Sequence, residues 1–409
     1  MVLELLFSAQ AMIEADLVVV GGGIVGLAVG YQFSKRFADR KIVVLEKEKR
    51  LAHHQTGHNS GVLHSGIYYK PDSLKAINCR EGKIAMEQFC AVHDIDFDIC
   101  GKVIVATKED EISAMERIYQ RGLDNGIKCS IISKEQLAEL EPHAAGVKAI
   151  HVPGAGIVNY RQVCEKLGEL IQESGGEILT ESRVESIDHG SGKSIVHSQS
   201  GEVECKLVVN CAGLHSDRIT SIGGRKPSAK IIPFRGEYFE LKPSRQHLCR
   251  NLIYPVPDPK FPFLGVHFTR MVEGGVECGP NAVLAFAREG YKKMDINFRD
   301  LCESLTYPGF IRMACKHWRM GMGEMWRSFS KAAFVKALQK LMPDIRKEDL
   351  VAAPAGIRAQ AVMPDGGLVD DFLIDETEHM VNVNNAPSPA ATASLNIGKL
   401  VVDRLANRF

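Results

Sequence analysis

Apolar positions near the start of the chain repeat with two different periods. Leu17-Val18-Val19-Val20 is an unbroken apolar run, Gly21-Gly22-Gly23-Ile24-Val25-Gly26 follows at once, and residues 27–37 have helical spacing. Ile42-Val43-Val44-Leu45 is strand-like again and ends at Glu46. A period that switches from strand to helix and back predicts a βαβ unit. Residues 17–34 carry no charge, yet their five glycines and the second strand speak against a membrane helix.

Further along, helices are expected at 73–93 and 109–125, with a strand at 100–107 between them. The apolar segment 150–158 leads into a helix at 160–174, and strands follow at 177–179 and 182–187. Residues 207–213 read as a buried strand ending in small residues, where backbone can approach a ligand at the carboxyl edge of a sheet. From Pro227 the texture changes. Strands at 231–241, 252–256, 263–269 and 283–286, separated by turn residues, predict an antiparallel sheet in a second lobe. Residues 310–341 read as one helical, basic stretch. A strand at 372–375 leads to the run 381–392, from which a helix runs to about 406; this end of the chain returns to the first lobe, with Ser388 and Pro389 at helix-start positions. The expected division is therefore 1–90, 150–226 and 350–409 for a nucleotide-binding domain, and 91–149 with 227–349 for a substrate domain.

Each part of the first unit suits a dinucleotide. Gly21 allows a sharp turn, Gly23 lets backbone approach a pyrophosphate, Gly26 lets helix and sheet pack closely, and the helix N-terminus favours phosphate. Glu46, twenty positions after Gly26, is placed to accept hydrogen bonds from ribose hydroxyls. The loop at 53–69 adds His53, His54, His58 and His64 among small and hydroxyl-bearing residues, which suits backbone pressed against a flat, hydrogen-bonding ring. No second glycine fingerprint appears, so one dinucleotide is expected and the substrate reduces it directly.

Composition narrows the partners. Lysine plus arginine equals aspartate plus glutamate at 50 each, so no overall field favours nucleic acid. The eleven cysteines form no C-x-x-C pair, which points to reduced thiols and away from a disulfide frame or metal site. Residues 1–15 hold Glu4 and Glu14 and no basic residue, so no secretory or mitochondrial leader is expected within them.

Longer strings carry a resemblance. The dinucleotide unit, residues 207–213 and Gly356-Ile357-Arg358 resemble the flavin-dependent D-amino acid oxidase superfamily. Residues 55–71, Pro233-Phe234-Arg235-Gly236-Glu237-Tyr238, Tyr254-Pro255-Val256-Pro257, Gly265-Val266-His267-Phe268-Thr269, Gly279-Pro280-Asn281-Ala282 and residues 385–392 resemble the L-2-hydroxyglutarate dehydrogenase family within it. The resemblance spans about 16–405. It implies an α/β fold with a Rossmann-like FAD-binding lobe and a discontinuous α+β substrate lobe built on an antiparallel sheet. It also implies a noncovalent FAD, a dicarboxylic 2-hydroxy acid substrate, and a quinone or electron-transfer flavoprotein as acceptor. Mitochondrial, membrane-associated localisation belongs to the family's animal members, and the basic stretch 310–341 suits peripheral membrane contact.

The FAD contacts implied are Gly21, Gly23, Ile24, Val25, Gly26, Glu46, Lys47, Thr56, Asn59, Ser60, Val184, Ala212, Gly213, Gly356 and Pro389. Arg235 and Arg358 are expected to hold the substrate carboxylates, because a guanidinium binds carboxylate through two parallel hydrogen bonds. Tyr68 and Ser388 are expected to support them. His267 is the first candidate base, with His58 and His64 as rivals, since imidazole titrates near operating pH. The chain departs from the family pattern at Arg270, where proline is expected, and at Asn382, where a histidine is expected. Two other readings stand beside this one: an amine or amino-acid oxidase releasing hydrogen peroxide, and a flavin-binding scaffold without turnover.

Overall fold

The computed structural model describes residues 12–258 and 264–409. Residues 1–11, and the first residue of the strand expected at 263–269, lie outside the described residues. Strand β1 (Ile13–Val20) runs through the middle of an eight-stranded sheet. It pairs in parallel with β2 (Ile42–Leu45) on one side and with Gly201–Asn210 on the other. Gly201–Asn210 serves two neighbours along its far edge. Its first half pairs antiparallel with Ser194–Ser198, and its end pairs in parallel with Met380–Asn385.

This sheet is covered on both faces, which explains the unbroken apolar run in β1. Leu17 and Val19 face helix α1 (Ile24–Arg36) and the helices Leu74–Val92, Tyr160–Glu173 and Ala390–Leu405. Val18 and Val20 face the opposite cluster with Ile187, Val196 and Ile219. Leu17, Val18 and Val19 are fully buried, and each such side chain contributes about 1.5–3 kcal/mol.

The second lobe holds another eight-stranded sheet. Its central strands lie in the order Lys148–Val152, Lys102–Ala106, Leu252–Pro255, His267–Arg270, Val276–Gly279. The expected antiparallel pattern has one exception, the parallel pair Lys102–Ala106 with Leu252–Pro255. These two strands come from separate excursions of the chain, so no hairpin joins them. The expected limit at 150 falls inside Lys148–Val152, and the limit at 350 meets Leu350–Ala352, which pairs with Phe239–Leu241 in this same sheet.

Three expectations need correction. The single strand at 231–241 is two strands in two sheets, Lys230–Gly236 and Phe239–Leu241. The chain breaks at Gly236, where an added Cβ would lie 2.8 Å from the Pro280 ring. The single helix at 310–341 is also two: Pro308–Phe329 is kinked at His317, and Ser330 then caps Lys331–Leu338 by accepting from the Ala333 N–H. Ser388 does not cap the last helix, which begins at Ala390 behind Pro389 with no side-chain cap.

Candidate active site

The β1–α1 turn places backbone where a pyrophosphate can sit. Gly21 has φ +115°, and its N–H donates to Leu45 O at 2.8 Å. A Cβ on Gly26 would lie 2.0 Å from Gly21 O, so only glycine lets α1 approach this closely. The Glu46 carboxylate accepts from the N–H groups of Gly22 (2.7 Å) and Glu48 (2.9 Å), which fixes it at the carboxyl end of β2. Thr56 Oγ1 accepts from the Ile24 N–H at 3.1 Å and ties the histidine-rich loop to the helix start. Gly23, the N-cap, carries no side chain over the remaining N–H groups.

From this turn a cavity of about 710 Å³ runs into the second lobe. It is lined at one end by Gly21, Gly23, Ile24, Val25, Glu46 and Lys47, then by Thr56, Asn59, Ser60, Val184, Ala212 and Gly213, and farther on by Gly356 and Pro389. Of the expected cofactor residues, only Gly26 is off the lining, packed beneath the turn. His58, His64, His267, Arg358 and Ser388 also line it.

The far end gathers groups from four segments. His267 heads its strand, and the register Leu252↔Thr269, Ile253↔Phe268 continues to set it beside Tyr254. The two rings lie 4.0 Å apart. His267 Nδ1 is 2.9 Å from Gly265 O. Only a protonated Nδ1 can donate to a carbonyl, so the neutral ring carries its lone pair on Nε2. His64 is held by its N–H to Thr392 Oγ1 at 3.1 Å, and its Nε2 lies 3.5 Å from Ser388 Oγ. Burial, reinforced by the Lys102 charge, pushes His64 down to about 3. Burial first, then Lys102, holds His267 at about 4 against the opposing Gly265 hydrogen bond. Both rings are therefore neutral at ordinary pH.

The two expected arginines separate. In the strand pair Lys230–Gly236 and Gly356–Val362, Phe234 stands opposite Arg358, and both line the cavity. Arg235 is one residue on and turns the other way. Its guanidinium is 6% exposed, donates through Nε and Nη2 to Glu237 Oε1 at 3.2 and 3.0 Å, and through Nη1 to Lys292 O at 3.3 Å. Arg235 is off the cavity lining, and its charge is already matched by Glu237. Desolvation by the surrounding cavity wall lowers the Arg358 pKa, opposed by Asp370, Tyr69 and Tyr238, while the side chain itself stays open to the cavity.

Other placements differ from expectation. Tyr68 is off the lining, with its ring beside Lys102. His58 belongs to a separate cluster, stacked on Tyr291 at 4.3 Å and donating from Nδ1 to His54 O. Asn382 lies below the cavity, accepting from Asn210 Nδ2 and Thr220 Oγ1 at 3.0 and 2.9 Å. Arg270 pairs with Asp98 at 3.0 Å on the surface. Sequence reasoning missed Tyr254, Thr392 and Lys102 as neighbours of the histidines. For Lys102 a signal existed: a lysine leading the apolar run Val103-Ile104-Val105-Ala106.

Comparison with known proteins decides the family. Residues 16–404 match the FAD dependent oxidoreductase family. An L-2-hydroxyglutarate dehydrogenase from Indibacter alkaliphilus is 50% identical over 398 residues, covering 97% of this chain and 100% of its own length. The mitochondrial L-2-hydroxyglutarate dehydrogenase of Bos taurus is 44% identical, covering 96% and 89%. The chain belongs to the FAD-dependent oxidoreductases, in the L-2-hydroxyglutarate dehydrogenase branch. In keeping with this family, L-α-glycerophosphate oxidase from Mycoplasma pneumoniae shares the fold, with TM-score 0.79 at 21% identity over 97% of this chain and 95% of that one. Glycine oxidase from Geobacillus kaustophilus gives TM-score 0.71 at 18% identity, covering 97% and 95%. FAD is the cofactor of these FAD-dependent oxidoreductases, and the residues present fit it. The cradle at Gly21, the fixed Glu46 carboxylate and the cavity's continuity to the histidine end match a long dinucleotide whose ring must reach a substrate.

Proposed function

We propose that this protein oxidises L-2-hydroxyglutarate to 2-oxoglutarate. The observation that supports it is one cavity end that combines an arginine on the cavity wall with a neutral imidazole of fixed tautomer. FAD, held noncovalently by the Gly21 turn and the Glu46 end of the cavity, would supply the two-electron acceptor for the substrate's C2 hydrogen. His267 Nε2 takes the hydroxyl proton as the carbonyl forms, Arg358 holds a carboxylate, and the His64–Ser388 pair orients the hydroxyl. The test is the anaerobic visible spectrum with L-2-hydroxyglutarate, the D enantiomer or glycine. Bleaching by the L form alone is expected; bleaching by glycine, or by nothing, overturns the reading.

Membrane-surface contact is part of the same proposal, with a quinone as electron acceptor. Trp318, Met322, Trp326 and Phe329 recur at helical spacing along Pro308–Phe329 and are 55%, 65%, 66% and 74% exposed. Arg312, Lys316 and Arg319 share that helix, and Phe298 adds a further exposed ring. Exposed aromatics flanked by cations suit an anionic lipid interface. Among the described residues no helix is long and apolar enough to cross a membrane. A mitochondrial location belongs to the Bos taurus relative. Co-sedimentation with anionic vesicles, lost in W318S/W326S, is the expected result; equal sedimentation of both proteins refutes it.

A further inference from the structure

Behind the histidines lies a buried cation that the reaction above does not use. Lys102 is 1% exposed, at the head of the central strand of the second sheet. Its Nζ lies 4.1 Å from the centroid of the Tyr254 ring and 5.1 Å from that of Tyr68. Among the described residues no carboxylate forms an ion pair with it; burial lowers it to about 8, with only the thiols of Cys79 and Cys100 opposing. An ammonium in such a site is costly, and aromatic faces offset only part of the cost. Its position gives it a use. Tyr254 touches both Lys102 and His267, and the Lys102 charge also opposes protonation of His64.

We propose that Lys102 is a positioning residue for the hydroxy-acid oxidation, whose ammonium, stacked behind Tyr254, adds to the burial of the site in disfavouring a second positive charge on the imidazole that receives the substrate proton. The other charges near His64 act in the same direction: Lys75 and His267 are both potential cations, while Ser388 and the Cys79 thiol are neutral neighbours. Around His267 stand Lys102, the Gly265 carbonyl and the neutral Tyr254. No carboxylate among the described residues pairs with either ring to draw a proton onto it. The inference rests on the hydroxy-acid reading, because a neutral base is needed only if a hydroxyl proton must leave.

The experiment follows flavin reduction by L-2-hydroxyglutarate against pH in the holoenzyme, together with ¹⁵N histidine titration by NMR. In the wild type, neither His64 nor His267 protonates above about pH 5, and the reduction rate is flat from there upward. In K102M both titrations move up, and reduction at about pH 5 falls severalfold below its value at about pH 8. K102R restores the flat profile. Identical histidine titrations in wild type and K102M overturn the proposal, as does a wild-type His64 or His267 that titrates near its ordinary value. The NMR arm needs no turnover. If L-2-hydroxyglutarate fails to bleach the wild type, the substrate reading falls while the titrations still decide the role of Lys102.

Discussion

Arg358→Met is the sharpest test of how substrate is held. Arg358 stands on the cavity wall, which it reaches because its strand partner is Phe234 and not Arg235. The methionine keeps most of the stem volume, so the change removes charge with little loss of packing. Truncating one partner of a buried charge pair costs about 2–5 kcal/mol, largely because the other charge is left desolvated. At about 3 kcal/mol, kcat/KM for L-2-hydroxyglutarate falls about 100-fold. R358K keeps the charge and loses the fork, so it recovers part of that loss. The assay is anaerobic stopped-flow at 450 nm over a substrate series, with FAD content checked first. A loss below about threefold with full FAD occupancy refutes carboxylate binding by Arg358, while the same loss for R235M would return Arg235 to the substrate set.

Other perturbations separate the remaining roles. H267Q slows flavin reduction by about 10²–10⁴-fold with little change in 2-oxoglutarate affinity, and a similar loss confined to H64Q would transfer the base to His64. G26A forces a Cβ to 2.0 Å from Gly21 O; purified protein then carries little FAD and melts lower by about 1–3 kcal/mol of stability, and a full 450 nm band at unchanged Tm contradicts this. His267 is held at about 4 in the folded chain, below its ordinary value of about 6.5, so the folded state binds fewer protons between the two. Stability is therefore complete above about pH 6.5 and declines as pH falls toward about 4, by up to about 3 kcal/mol from this group, a slope that urea midpoints of H267Q should show reduced.

The first strand, turn and helix were legible because every signal lay within thirty residues of the others. Glu46 is held at the end of β2, on the N–H of Gly22. The separation of Arg235 from Arg358 was hidden because a strand turns alternate residues to opposite faces, and its register with Gly356–Val362 is set by contacts more than a hundred positions away. Lys102, Tyr254 and His267 come together only through pairing of strands from different parts of the chain, which no local period reveals. The division of 231–241 between two sheets was hidden for the same reason, since both halves have equally good strand character.

Thr392, in the last helix, accepts the His64 N–H and bonds the Tyr160 hydroxyl at 2.8 Å, while Met380–Asn385 completes the edge of the strand that ends beside Ala212. The ribosome therefore releases the glycine turn about 370 residues before the segment that holds the histidine loop in place. A growing chain has the phosphate cradle early and the walls of the ring site last. Flavin capture is thus a step that follows translation, and a messenger cut short before residue 380 yields a protein unable to retain its colour, however complete its first lobe looks.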